Sequence, residues 1–145
     1  MNLIHNLIKM TLYLDANVFI FAAISNDAKA EKAKRLIKKI ILGKLKAATS
    51  SLTIDEVVWK IWKETKDRKT AIEEGLRILQ FDNITFISIT DQITANALKL
   101  MKKYENLKPR DSIHLAAALS ANIKTIVTDD SDFDNMKEIK RKSLD

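Results

Sequence analysis

Apolar residues recur along this chain at two alternating spacings, and the alternation predicts the fold class. Thr11 to Leu14 is a short β-type run that stops at Asp15, as a buried strand does. From Ala28 to Leu42, the residues Ala33, Leu36, Ile37, Ile40 and Ile41 recur at helical spacing before Gly43, which suits a helix stop. Ala47 to Ser50 is a second, very short strand. Ser and Thr residues able to cap a helix follow it, and then the stripe Ile54, Val57, Val58, Ile61, Trp62. A further helix is predicted from about Arg68 to Leu79. Ile84 to Ile89 alternates and is β-branched, and Thr90 then caps a helix containing Ile93, Ala97, Leu100, Met101 and Tyr104. Pro109 stands just before an Ala-rich helix over about Asp111 to Ala121, which leads into a strand over Lys124 to Thr128. Strands alternating with helices need crossover connections, so the pattern predicts an α/β domain, three-layer α/β/α around a mostly parallel sheet. Trp62 lies on its helix's apolar stripe and is expected in the core. Trp59 lies off it and is expected as a dimer-contact or partly buried residue. The run Ala116-Ala117-Ala118 is expected to permit close helix packing.

Length agrees with one domain. The chain has 145 residues, close to the roughly 150 of a single unit, and 46 % hydrophobic residues fill a core of that size. Residues 1–9 lean apolar but lack the basic start, long apolar centre and cleavage site of a signal peptide. They are read as an N-terminal extension before a single domain over 10–145. Zero cysteines exclude disulfides, thiolate metal sites and a cysteine nucleophile. Charged residues interrupt each apolar run well short of a membrane span. The chain is therefore expected to be soluble and cytoplasmic, with no membrane partner. Two glycines and one proline leave no Gly-rich phosphate loop. The net charge is +6, and its excess is clustered: residues 29–46 carry eight Lys or Arg side chains against Glu31 alone. Such a face attracts polyanions. A solvated Lys-rich helix face is the simpler account of charge by itself, so charge only supports a nucleic-acid reading.

The acids are more informative. In an open parallel sheet, ligands bind beyond the carboxyl ends of the strands. Asp15 ends the first strand, and Asp130 and Asp132 follow the last in Thr128-Asp129-Asp130-Ser131-Asp132-Phe133. Asp111 opens the Ala-rich helix, where capping is a sufficient role for a lone carboxylate. Glu56 lies two positions from Ile54, about 200° around a helix, so solvent is its default environment. Several carboxylates converging on one rim would repel each other and raise one another's pKa unless a cation held them. Hard oxygen ligands without a Cys or His cluster select Mg²⁺ or Mn²⁺, and such ions suit phosphoryl chemistry. A phosphodiester substrate follows, in agreement with the basic surface. His114 is the one histidine outside the extension, and a packed or hydrogen-bonded structural role is expected for it rather than base catalysis.

Four segments in order also resemble a known family. Leu12-Tyr13-Leu14-Asp15-Ala16-Asn17-Val18-Phe19-Ile20 is similar to the opening of a PIN domain. It is followed at suitable distances by Ser51-Leu52-Thr53-Ile54-Asp55-Glu56-Val57, then Pro109-Arg110-Asp111-Ser112-Ile113-His114-Leu115-Ala116-Ala117-Ala118, then Thr128-Asp129-Asp130-Ser131-Asp132-Phe133. The resemblance implies a metal-dependent endoribonuclease that hydrolyses RNA, and for a small single-domain member most often the toxin of a VapBC-type toxin–antitoxin pair. It implies an acidic quartet of Asp15, Glu56, Asp111 and Asp130 holding Mg²⁺ or Mn²⁺, with Asp132 a further ligand or supporting group and Asn17 and Thr128 polar supports. Of Asp129 and Asp130, register favours Asp130. A homodimer and a cognate antitoxin protein that enters the groove are implied as partners. The alternatives are a catalytically silent PIN-fold module that binds RNA or protein, and an acidic-pocket receiver or aspartyl-phosphate phosphatase. The phosphatase wants Asp-x-Asp after the first strand, where this chain has Asp15-Ala16-Asn17.

Overall fold

A computed structural model describes residues 11–144; the extension expected over residues 1–9 lies outside the described residues. The order of elements is β1 (Thr11–Leu14), α1 (Ala16–Ile24), α2 (Ala28–Ile41), β2 (Lys46–Ser50), α3 (Ser51–Thr65), α4 (Arg68–Leu79), β3 (Ile84–Ile87), α5 (Asp91–Lys103), α6 (Pro109–Ser120), β4 (Thr125–Val127), a 3-10 turn (Ser131–Phe133) and β5 (Lys140–Lys142). The strands form one sheet in the order β3-β2-β1-β4-β5, and each neighbouring pair is parallel.

Strand alternation splits the core into two layers. Leu12 and Leu14 of β1 point into a cluster with Val18, Phe19, Ile40, Ile61 and Ile78 from α1–α4. Tyr13 points the other way, into a cluster with Ile93, Ala97, Leu115 and Ala117 from α5 and α6. Helices thus cover both faces, as the alternating pattern predicts. Each fully buried Phe or Ile stabilises the fold by about 1.5–3 kcal/mol relative to exposure. Ala116, Ala117 and Ala118 are buried where α6 meets α5 and β2, which confirms close packing of that helix.

Two elements and one side chain differ from expectation. α1 is apolar nearly all round, so it shows no 3.6-residue rhythm to read, yet it is a helix with Asp15 as its N-cap. β5 reads Lys-Arg-Lys and pairs as an edge strand with β4, again without an apolar signal. Trp62 is 40 % exposed rather than in the core. The packed seam of α3 runs through Thr53, Val57 and Ile61, and Trp62 stands about 100° away from Ile61. It lies edge-on to Trp59 at 6.1 Å, with the Arg68 guanidinium 5.7 Å from its ring.

The chain passes from β1 outward through β2 to β3, then returns to build β4 and β5 on the other side of β1. The switch point lies between β1 and β4, and a crevice opens beyond their carboxyl ends. Asp15 and Thr128 are the residues that follow those two ends.

Candidate active site

Asp15 is only 7 % exposed, and its oxygens are held on both sides. Oδ1 accepts from the Ala16 N–H at 2.7 Å, and Oδ2 accepts from Thr128 Oγ1 at 2.7 Å and Asn17 Nδ2 at 3.3 Å. Asn17 Nδ2 also donates to Thr128 Oγ1 at 3.2 Å. Asn17 and Thr128 therefore lie where they orient Asp15. Asn17 Oδ1 is buried and has no hydrogen-bond partner among the described residues.

Beyond β4 the backbone separates two adjacent acids. Asp129 turns aside, bound by Lys29 Nζ at 2.7 Å and by the Leu144 N–H at 3.2 Å. Asp130 turns inward. Its own N–H donates to Thr128 Oγ1 at 3.1 Å, and its Oδ1 accepts from the Asp132 N–H at 2.9 Å, capping the 3-10 turn. Asp111 sits in the first turn of α6 but caps nothing, because Lys108 is the N-cap and makes no side-chain cap bond. Asp111 instead faces Asp130 and Asp132 across the rim. Asp111, Asp130 and Asp132 each bring an oxygen to within 4.8 Å of the other two. Burial, and then the Asp130 charge, push the Asp111 pKa up to about 7.

Asp15, Glu56 and His114 form a second group of the same dimension. Glu56 is half-buried rather than solvated: a helical wheel registers only the stripe of its own helix, and α6 brings His114 over this face of α3. His114 Nε2 contacts Glu56 Oε1 directly and lies 3.6 Å from Asp15 Oδ1. His114 is fully buried, and its Nδ1 is 2.6 Å from the Tyr13 hydroxyl. That hydroxyl also lies 3.0 Å from Ser50 Oγ, so a buried hydrogen-bonded chain runs from Ser50 through Tyr13 to the ring. Nε2 faces two carboxylates, which favour a positive charge on the ring. Burial opposes that charge, but the Glu56 hydrogen bond and the Asp15, Glu56 and Asp111 charges outweigh it and hold the His114 pKa above its ordinary value. Burial likewise raises the Asp15 pKa against the pull of His114 and Thr128.

The two groups adjoin, since Asp111 feels the charges of both Asp15 and His114. Every acid expected at the rim is therefore in one neighbourhood. The donor set consists mainly of carboxylate oxygens, which fits a hard divalent cation. His114 has the packed, hydrogen-bonded role expected of it, and Tyr13 is the site residue that sequence reasoning passed over. The signal for the place of His114 beside the acids was spacing, because it stands three residues after Asp111 and so shares its face of α6.

Known proteins share this fold. No curated protein sequence matches the chain. A toxin–antitoxin complex from Klebsiella pneumoniae superposes with a TM-score of 0.62 at 23 % identity, covering 89 % of this chain and 95 % of that one. VapBC2 from Rickettsia felis, solved on a DNA fragment from its promoter, gives 0.70 at 16 %, covering 92 % and 98 %. VapC20 from Mycobacterium tuberculosis, described as a toxin that cleaves the sarcin–ricin loop, gives 0.72 at 14 %, covering 88 % and 96 %. At these identities the likeness is one of fold. The sequence itself matches the PIN domain family over residues 12–139, nearly the whole described chain, and the protein is thus a member of the PIN domain family.

Proposed function

We propose that this protein is a Mg²⁺- or Mn²⁺-dependent endoribonuclease and the toxin of a VapBC-type toxin–antitoxin pair. The observation that carries the reading is the gathering of Asp15, Glu56, Asp111, Asp130 and Asp132 from four separate parts of the chain into one rim. These residues would hold the ion. A bound divalent cation supplies a Lewis acid for the phosphate oxygen and makes a water acidic enough to attack at neutral pH. Thr128 and Asn17 fix the rotamer of Asp15, and His114 fixes Glu56. Burial and the Asp130 charge raise the Asp111 pKa to about 7, so at that position a cation would compete with a proton.

The toxin assignment draws on likeness to the VapBC and VapC structures, whose chains this one matches nearly end to end. An antitoxin partner accords with the apolar side chains left exposed on α3 and α4, where Trp59, Leu76 and Leu79 are each about half exposed or more. A homodimer and a cytoplasmic location belong to the same proposal. No helix among the described residues is long and apolar enough to cross a membrane.

The test is incubation of wild type and Asp111→Asn with a mixed RNA pool in Mg²⁺, Mn²⁺ or chelator. Cleavage is expected only with metal, and the variant should lose at least about 100-fold, the upper end of what a single supporting residue of a metal site costs. Equal cleavage by the variant would remove Asp111 from the site. RNA binding without cleavage would favour the catalytically silent module instead.

A further inference from the structure

We infer that the cleft between α2 and β5 is a track for the phosphodiester backbone of RNA, extending away from the acidic rim; the inference rests on the ribonuclease reading above. The cleft has a volume of about 260 Å³ and is lined by Lys32, Arg35 and Lys39 of α2 and Lys142 of β5, over an apolar floor that includes Leu36 and Val127. Its cations come from elements more than 100 residues apart in sequence, so the cluster is a product of the fold and not only of a Lys-rich helix. Among the described residues no acid lines it.

Pairing separates these four cations from their neighbours. Lys29 is bound to Asp129, Lys34 lies 3.6 Å from Glu31, and Arg141 is held by Asp134 at 2.7 Å. Lys32, Arg35, Lys39 and Lys142 have no carboxylate partner among the described residues. Like charges gathered around one cleft repel each other, and a polyanion relieves that repulsion. On α2 the three side chains recur at i, i+3 and i+7, which keeps them on one face over roughly 10 Å. That face presents a row of charge rather than a single anion pocket.

The cleft also abuts the site. The Lys142 carbonyl accepts from the Thr128 N–H at 3.1 Å, and the same Thr128 donates to Asp15. Lys29, one turn before Lys32, pins the Asp129 that precedes Asp130. A polyanion whose scissile phosphate lies at the rim therefore meets unpaired cations on its way out along α2. Contacts of this kind grip phosphate and set register without reading bases.

The experiment measures binding of a fluorescent unstructured RNA 20-mer to the full chain in chelator, across a salt series. Wild type is compared with the triple variant Lys32→Gln/Arg35→Gln/Lys142→Gln and with a charge-matched control, Lys63→Gln/Lys102→Gln/Lys124→Gln, on other faces. All replaced side chains are exposed, and circular dichroism confirms folding. Three lost phosphate contacts should lower the salt slope of log K by about 2 and weaken binding by roughly tenfold or more, with a clearly smaller change in the control. Equal slopes for variant and control would overturn the track, as would no measurable RNA binding by wild type at low salt. If the variant keeps RNA binding but loses a poly-glutamate peptide, the cleft belongs to an acidic protein segment and the inference fails. RNA cleavage in Mn²⁺ is followed in parallel. Cleavage with cleft-independent binding sinks the track alone, whereas cleft-dependent binding without cleavage sinks the nuclease reading alone.

Discussion

The Tyr13 hydroxyl, buried between Ser50 and His114, anchors the ring that faces Glu56 and Asp15. The positive charge those carboxylates favour on the ring reduces their mutual repulsion. Tyr13→Phe removes the hydrogen-bond partner of both Ser50 Oγ and His114 Nδ1 in a dry environment. The expected cost is about 1–3 kcal/mol of stability, read as a lower urea midpoint at unchanged m-value. An unchanged midpoint would mean that the ring nitrogen finds another partner. At this scale the chain was partly legible. Asp15, Asp130 and Asp132 could be placed because strand ends in a parallel sheet all reach one rim. Glu56 and His114 could be assigned no contact with each other, because their meeting depends on where the fold places α3 and α6, which no local pattern encodes.

At the scale of elements, periodicity carried the reading wherever one face is wet. α2, α3, α4, α5 and α6 each have an amphipathic stripe and were legible to within a few residues, whereas α1 and β5 have none. The α3–α4 hairpin shows what periodicity leaves out. Gly75 lies in the middle of α4, where Ala would add about 1 kcal/mol of helix propensity. A Cβ there would stand 2.7 Å from Val58 Cγ2, and Val is stiff at χ1. Overpacking of this kind costs about 1–3 kcal/mol, so Gly75→Ala is expected to destabilise the protein by about 1 kcal/mol net. A raised melting temperature would show that α3 and α4 move apart without cost. Trp62 shared the stripe's spacing but lies off the seam of Thr53, Val57 and Ile61, which is why its place on the stripe misled.

For the molecule as a whole, the sheet order places β1 beside β4, and with them the acids of two distant chain segments. The consequence is a fold whose stability depends on protons in a known direction. Asp111, Asp15 and His114 all have folded pKa values above their ordinary ones, so the folded state binds more protons than the unfolded state. Their contribution is fully present in acid and is lost as pH rises, for Asp111 between its ordinary 3.8 and about 7. Glu138, held near 2 by Lys103 and Tyr104 against its own burial, acts in the opposite sense but only in acid, and leaves the slope above pH 5 unaffected.

Thermal unfolding between pH 5 and 8, in chelator and in Mn²⁺, tests the central claim that these carboxylates form one cation site. In chelator the melting temperature should fall as pH rises; Mn²⁺ should restore it, and by more at pH 8 than at pH 5, because the ion replaces the lost protons. Asp111→Asn should flatten the first trend and abolish most of the second. A melting temperature indifferent to Mn²⁺ at every pH, or an equal Mn²⁺ response in wild type and Asp111→Asn, would contradict the account.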